Sequence, residues 1–208
     1  MRNEFLQEMI NRLELNQKFP KYQMERRVDI LINLFLPDII HWKFGKDYKV
    51  DFIIPELPIK KEGNNLSTNL DYFVICNSKN KGFLVELKTD ANSCRPEQMH
   101  QYVKVKNDRF KAIIEGIQDI KKVTKKPYRK KYKDLLDILE NEVNREIQLE
   151  IIYILPESGI TKLQIKNPES NQNIHFITLE SLKAMEYTDH LQEEWDLIRQ
   201  SKLFQPEN

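Results

Sequence analysis

The sequence is poor in the residues that many metal and cofactor sites require. Its 208 residues include only two cysteines, Cys76 and Cys94, and five glycines. Two cysteines exclude a disulfide scaffold and a zinc site built from the cysteines of this chain alone, and they predict reduced thiols in a cytoplasmic protein. No two glycines are close enough for a dinucleotide-binding fingerprint or a P-loop. Nucleotide-dependent chemistry of those two kinds is therefore set aside.

The chain also lacks an excess of charge and a long apolar run. Its 33 basic and 32 acidic residues leave a formal net charge of +1, so attraction to nucleic acid would require a local basic patch. The longest apolar candidate, residues 30–40, contains Asn33, Pro37 and Asp38 and is far shorter than the ~20 residues that span a bilayer. No signal peptide is recognised at the start. A globular protein outside the membrane is expected.

The spacing of apolar residues predicts a mixed α/β fold with one central sheet. Apolar residues at three- and four-residue spacing predict a first helix over about 5–13 and a second over about 22–36, which Pro37 ends. They also predict one long helix from Pro96 through Ile117. Strand-like runs lie at 48–54 (extending towards 59), 70–76, 83–88, 147–155 and 174–177.

We predict a single domain over residues 1–208. It comprises a helical N-terminal part at 1–40, a sheet core with inserted helices at 46–178, and a C-terminal helical tail at 179–208. A chain of this length usually forms one domain.

Three charged residues stand out within the predicted second and third strands. Strand side chains alternate between faces, so Glu86 and Lys88 share one face, and Asp71 is the only charged residue of an otherwise apolar run. If the two strands pair, two carboxylates and one ammonium meet. Two close carboxylates repel each other, and a divalent cation with oxygen ligands, Mg²⁺ or Mn²⁺, removes that repulsion. This pattern predicts a metal site.

Asp71, followed after a gap by Glu86-Leu87-Lys88, resembles the Asp…(Asp/Glu)-x-Lys signature of the PD-(D/E)xK nuclease superfamily. Gln98-Met99-His100-Gln101-Tyr102 in the next helix is similar to the Gln-x-x-x-Tyr motif of RecB-like members. The resemblance implies a restriction-endonuclease-like αβββαβ core, here with additional N- and C-terminal helices. It also implies Mg²⁺-dependent hydrolysis of phosphodiester bonds in DNA.

The same resemblance implies roles for individual residues. Asp71, Glu86 and the Leu87 carbonyl would bind the metal, and Lys88 would activate the attacking water. Members of the superfamily often add an acid from a helix that precedes the sheet. Glu25 is the best match for that acid, and Glu56 is the second. Gln98 and Tyr102 would support Lys88 or a phosphate.

A basic segment over residues 121–133 is predicted as a loop that leads into a helix ending near Leu139. It interleaves Tyr128 and Tyr132 with eight basic residues, and it predicts contacts with the DNA backbone. The alternative is a solvated basic loop. The candidate binding residues are Lys121, Lys122, Lys125, Lys126, Tyr128, Arg129, Lys130, Lys131 and Lys133.

The same residues also allow simpler interpretations. Glu86 and Lys88 could form a solvated ion pair, Gln98 and Tyr102 could be an ordinary pair on a helix surface, and Glu25 could pair with a neighbouring Arg or Lys. The whole chain could be a catalytically inactive nucleic-acid-binding or complex-forming module of the same fold. It could also be a partner-binding protein unrelated to nucleic acid.

Overall fold

A computed structural model describes residues 2–16, 19, 25–61, 63, 66–166, 174–187 and 189–204. In these ranges the helices are α1 (Arg2–Asn16), α2 (Glu25–Phe44), α3 (Pro96–Asn107), α4 (Arg109–Val123), α5 (Lys126–Glu142), α6 (Glu157–Lys166), α7 (Leu179–Leu182) and α8 (Gln192–Gln200). The strands are β1 (Phe52–Lys60), β2 (Ser67–Cys76), β3 (Lys81–Leu87), β4 (Gln148–Leu155) and β5 (Ile174–Thr178).

The five strands form one mixed sheet in the order β1-β2-β3-β4-β5. The first three strands pair antiparallel, whereas β3, β4 and β5 run parallel to one another. Parallel neighbours need a long connection, and α3, α4 and α5 provide it between β3 and β4. The predicted mixed α/β fold is confirmed.

Helices cover both faces of the sheet, and each face has its own apolar core. On one face, buried residues of α1, α2, α7 and α8 pack against Val85 and Leu87 of β3. On the other face, residues of α3 to α6 pack against Leu84 of β3 and Tyr153 of β4. Alternation along β3 therefore directs Glu86 to the α3 face. No helix among the described residues is long and apolar enough to cross a bilayer.

Two predicted helix boundaries are wrong. Pro37 does not end α2, which continues to Phe44. Burial of Leu36, Ile39 and Ile40 around the proline outweighs the ~3 kcal/mol that proline costs inside a helix. The long helix after Pro96 is two helices, because the chain turns at Arg109, whose φ is 66°. The apolar spacing continues across this turn and conceals it.

The remaining boundaries differ in smaller ways. The first strand begins at Phe52 rather than residue 48, and Lys88 follows the end of β3. The segment 121–133 is not a loop, because α4 extends to Val123 and α5 begins at Lys126. Helix α6 was not predicted. The expected end of the first helix at Pro20 and the start of the second at Tyr22 lie outside the described residues.

Gly82 of β3 lies where two apolar side chains leave no room for a Cβ atom. A Cβ built there would be 2.9 Å from Phe73 Cε2 and 3.1 Å from Leu149 Cδ2. We expect Gly82→Ala to destabilise the protein by about 1–3 kcal/mol through overpacking, which lowers Tm by roughly 2–12 °C for a chain of this size. Thermal unfolding checks this, and an unchanged Tm would contradict the tight packing.

Candidate active site

Asp71 lies where β2 and β3 separate. The β2–β3 pairing ends at Tyr72 opposite Val85, and beyond it the Leu87 N–H donates to Asp71 Oδ2 at 2.6 Å. The Asp71 carboxylate thus replaces a backbone acceptor at the end of this ladder. Burial and the nearby Glu86 carboxylate raise the pKa of Asp71 to about 8. Ionisation of Asp71 in the folded protein therefore costs free energy unless a further cation compensates its charge.

Glu86 is almost fully buried at 1% exposure, and three side chains donate hydrogen bonds to it. Lys88 Nζ lies 2.6 Å and Gln98 Nε2 2.6 Å from Oε1, and the Tyr102 hydroxyl lies 2.7 Å from Oε2. Gln98 Nε2 also donates to the Tyr102 hydroxyl at 2.8 Å. Burial raises the pKa of Glu86 in spite of these donors. The interpretation of Gln98 and Tyr102 as an ordinary surface pair is wrong.

Lys88 connects the sheet to the N-terminal helices. Its backbone N–H donates to the Ile154 carbonyl at 2.8 Å, which directs the side chain to the Glu86 face. Its Nζ also lies 3.4 Å from Glu25 Oε1 at the start of α2. Burial lowers the pKa of Lys88, but the Glu86 and Glu25 carboxylates outweigh that effect and the pKa is raised. Lys88 is 6% exposed, so the ion pair is buried rather than solvated.

The structure thus brings together six side chains that the sequence analysis named: Glu25, Asp71, Glu86, Lys88, Gln98 and Tyr102. Glu25 forms the ion pair that had been its alternative interpretation, and its partner is Lys88 itself. Glu56 is not part of this hydrogen-bonded group. It has a φ of 50° and lines a second groove with Pro55 and Asn69. Burial, Glu56 and Glu25 together raise the pKa of Asp29 in α2.

Three carboxylates surround a single ammonium at this site, so its charge is compatible with a divalent cation. A carboxylate has about four acceptor positions; the donors to Glu86 occupy three, and Leu87 occupies one on Asp71. Mg²⁺ needs only one or two carboxylates because it keeps several waters. Among the described residues no group of three or more His, Cys, Asp or Glu side chains forms a ready ligand set. Binding of a metal by Asp71 and Glu86 stays a prediction.

A cleft of about 1340 Å³ opens beside Lys88 and Gln98. It carries basic residues that the sequence analysis missed: Arg26, Lys60, Lys61, Arg95 and Lys104. They come from α2, from the end of β1 and the residue after it, and from α3 and the turn before it. Because they are dispersed along the chain, no charge run indicates them. All of them except Lys60 are exposed.

The basic segment 121–133 does not contribute to the described lining of this cleft. Arg129 donates to the Thr124 and Lys122 carbonyls, so it stabilises the end of α4. Lys122 pairs with Asp119. Tyr128, Lys131 and Tyr132 line the groove of about 550 Å³ that also contains Glu56. The segment's role in binding DNA stays a prediction.

No protein-family model, curated protein or solved structure matches this chain. What the site does must be argued from its own chemistry. That chemistry combines a buried lysine, a buried and a half-buried carboxylate that repel each other, and an open cleft alongside.

Proposed function

We propose that this protein is a Mg²⁺- or Mn²⁺-dependent hydrolase of phosphodiester bonds in DNA. The observation that carries the proposal is the Lys88 ammonium, buried 2.6 Å from Glu86 beside Asp71 at the edge of a wide cleft. Buried groups with strongly shifted pKa values in a cleft are typical of catalytic sites. We place the reaction in the cytoplasm, which two free thiols, Cys76 and Cys94, support.

The order of elements also supports a restriction-endonuclease-like core. Three antiparallel strands are followed by helices and then by a strand parallel to the third. This is the αβββαβ arrangement that the resemblance implies. Asp71 and Glu86 lie on the central strands β2 and β3, which hold them more rigidly than loops would.

Each residue of the site has a role in the proposed reaction. Asp71 and Glu86 hold the divalent cation, with the Leu87 carbonyl as a further ligand, and Glu25 is a candidate additional acid. When bound, the cation supplies Lewis-acid polarisation of a phosphodiester oxygen and acidifies water. Lys88 orients the attacking water and stabilises negative charge as it develops. Gln98 and Tyr102 orient the Glu86 carboxylate.

Incubation of the full chain with single- and double-stranded DNA tests the proposal. We expect cleavage with Mg²⁺ or Mn²⁺ and no cleavage with EDTA. Binding of the metal without cleavage of any DNA substrate would contradict the proposal. The same assay with RNA shows whether cleavage requires a deoxyribose backbone.

A second candidate function is a catalytically inactive nucleic-acid-binding or complex-forming module. One observation favours it: Lys88, Gln98 and Tyr102 already donate three hydrogen bonds to the Glu86 carboxylate without any metal. Mn²⁺ titration by calorimetry separates the two candidates. The inactive module predicts no binding, and the hydrolase predicts binding that Asp71→Asn abolishes.

The exposed cations of the cleft are expected to contact the DNA backbone. Arg26 and Arg95 are exposed and line the same cleft as Glu25 and Lys88. We expect the Arg26→Ala/Arg95→Ala double variant to weaken binding of uncleaved duplex in Ca²⁺. Each lost phosphate contact lowers the slope of log K against log salt by about 0.9, so the slope should fall by roughly 2.

Lys130→Ala/Lys131→Ala is the matched comparison, because it removes the same charge from the basic segment. We expect a smaller loss of affinity from this pair, since the segment does not contribute to the described cleft lining. Fluorescence anisotropy over a range of salt concentrations measures both variants. A larger loss from the lysine pair would show that DNA follows the basic segment instead.

A further inference from the structure

Tyr153 of β4 is a buried residue beside the site for which the sequence analysis had no role. It is directly opposite Glu86 in the parallel β3–β4 pairing, and its ring centroid is 6.5 Å from that of Tyr102. Both tyrosines belong to the core on the α3 face. Tyr153 is 1% exposed, so its hydroxyl is removed from bulk solvent.

The Tyr153 hydroxyl has no hydrogen-bond partner among the described residues. Burial of an unsatisfied hydroxyl costs about 1–3 kcal/mol, and such a group calls for an explanation in a native fold. Phenylalanine would fill the same space without this cost. Tyr102 provides the contrast, because its hydroxyl donates to Glu86 and accepts from Gln98.

Two candidate metal ligands lie near Tyr153. It is paired with Glu86 across the β3–β4 ladder, and burial together with the charges of Glu86, Cys94 and Asp71 raises the pKa of Tyr153. A tyrosine hydroxyl can accept one hydrogen bond and donate another. Asp71 uses Oδ2 to accept from Leu87, and Glu86 already accepts from three donors. A hydroxyl near these two carboxylates can therefore hydrogen-bond a water that lies between them.

We propose that the Tyr153 hydroxyl positions the divalent-cation site by accepting a hydrogen bond from a water that the cation retains between Asp71 and Glu86. The inference rests on the proposed metal-dependent function and adds a residue to it. Mg²⁺ and Mn²⁺ sites of this kind keep several waters, and because a cation-bound water donates hydrogen bonds strongly, these waters need acceptors around them. Tyr153 is thus a positioning residue, because it acts through the water and not on the phosphate.

The test compares Tyr153→Phe with Tyr102→Phe in the full chain, with Mn²⁺ as the probe and no DNA present. Loss of partners around a metal site typically costs 10–100-fold in affinity. We expect Tyr153→Phe to raise the Mn²⁺ dissociation constant about 10-fold, while the Tm of the metal-free protein stays equal or rises. Tyr102→Phe removes an existing bond to Glu86, so it should lower the Tm of the metal-free protein.

The outcomes separate this inference from the function on which it rests. If wild type binds Mn²⁺ and Tyr153→Phe binds it within twofold, the role of Tyr153 is overturned while the metal site stands. If Tyr153→Phe lowers the Tm of the metal-free protein as Tyr102→Phe does, the hydroxyl serves the fold and the inference is also overturned. If wild type binds neither Mn²⁺ nor Mg²⁺, both the inference and the proposed function fail.

Discussion

Asp71→Asn is expected to abolish cleavage and, at the same time, to make the metal-free protein more stable. The asparagine oxygen can still accept from the Leu87 N–H, which now bonds to Asp71 at 2.6 Å. The substitution replaces a half-buried carboxyl group, whose ionisation burial and Glu86 oppose, with a neutral amide. We expect cleavage to fall at least ~10³-fold and unfolding free energy at pH 7 to rise by about 1–3 kcal/mol. A nuclease assay and thermal unfolding in EDTA measure the two effects.

The gain in stability should depend on pH in a definite direction. Burial and Glu86 raise the pKa of Asp71 to about 8, so the folded protein retains a proton that the unfolded chain releases above pH ~4. The contribution of Asp71 is therefore most favourable in acid and is lost as pH rises from about 4 to 8. The stability gap between Asp71→Asn and wild type should grow through that window and level off above it.

Asp51→Asn is the matched control. Asp51 Oδ2 also accepts a backbone N–H, that of Asn77 at 2.7 Å, but Asp51 is exposed and is not one of the carboxylates that act on Lys88. We expect wild-type cleavage and no gain in stability from this variant. If Asp71→Asn destabilises the protein at pH 7, the charge of Asp71 is already compensated and the argument for a cation there is lost.

Lys88→Met is expected to have the largest combined effect on catalysis and folding. It removes the ammonium proposed to orient water, and it leaves Glu86 buried without its ionic partner. Breaking one side of a buried ion pair costs about 3–5 kcal/mol, or roughly 6–20 °C in Tm. Cleavage should fall at least ~10³-fold, whereas Mn²⁺ binding should persist because the site becomes more negative.

A double variant separates lost folding from lost chemistry. In Glu86→Gln/Lys88→Met the buried charge is removed together with its partner, so most of the stability should return while cleavage stays absent. Lys81→Met is the control, because Lys81 pairs with Glu150 at the opposite end of the same strand. It should keep wild-type cleavage. A stable Lys88→Met protein that still cleaves DNA would contradict the role of Lys88.

The short motif and the geometry of its residues together support the proposed function. Neither would be sufficient alone, because an Asp and a Glu-x-Lys recur by chance. Their convergence around a buried ion pair is what distinguishes this site.

The sequence by itself determined the parts of the site that depend on local backbone geometry. A period of two directs Glu86 and Lys88 to one side of the chain, and a period of four places Gln98 and Tyr102 on one helix face. Their hydrogen bonds and ion pair agree with that expectation. The mixed α/β class also followed from the order of apolar patterns.

Only the tertiary structure decided which distant segments meet these residues. The parallel register places Tyr153 opposite Glu86, and the packing of α2 brings Glu25 to Lys88. The same packing stabilises α2 beyond Pro37. The basic residues that line the cleft come from four segments of the chain and not from the basic segment 121–133. These outcomes depend on strand register and on burial summed over many side chains, which no local spacing in the sequence encodes.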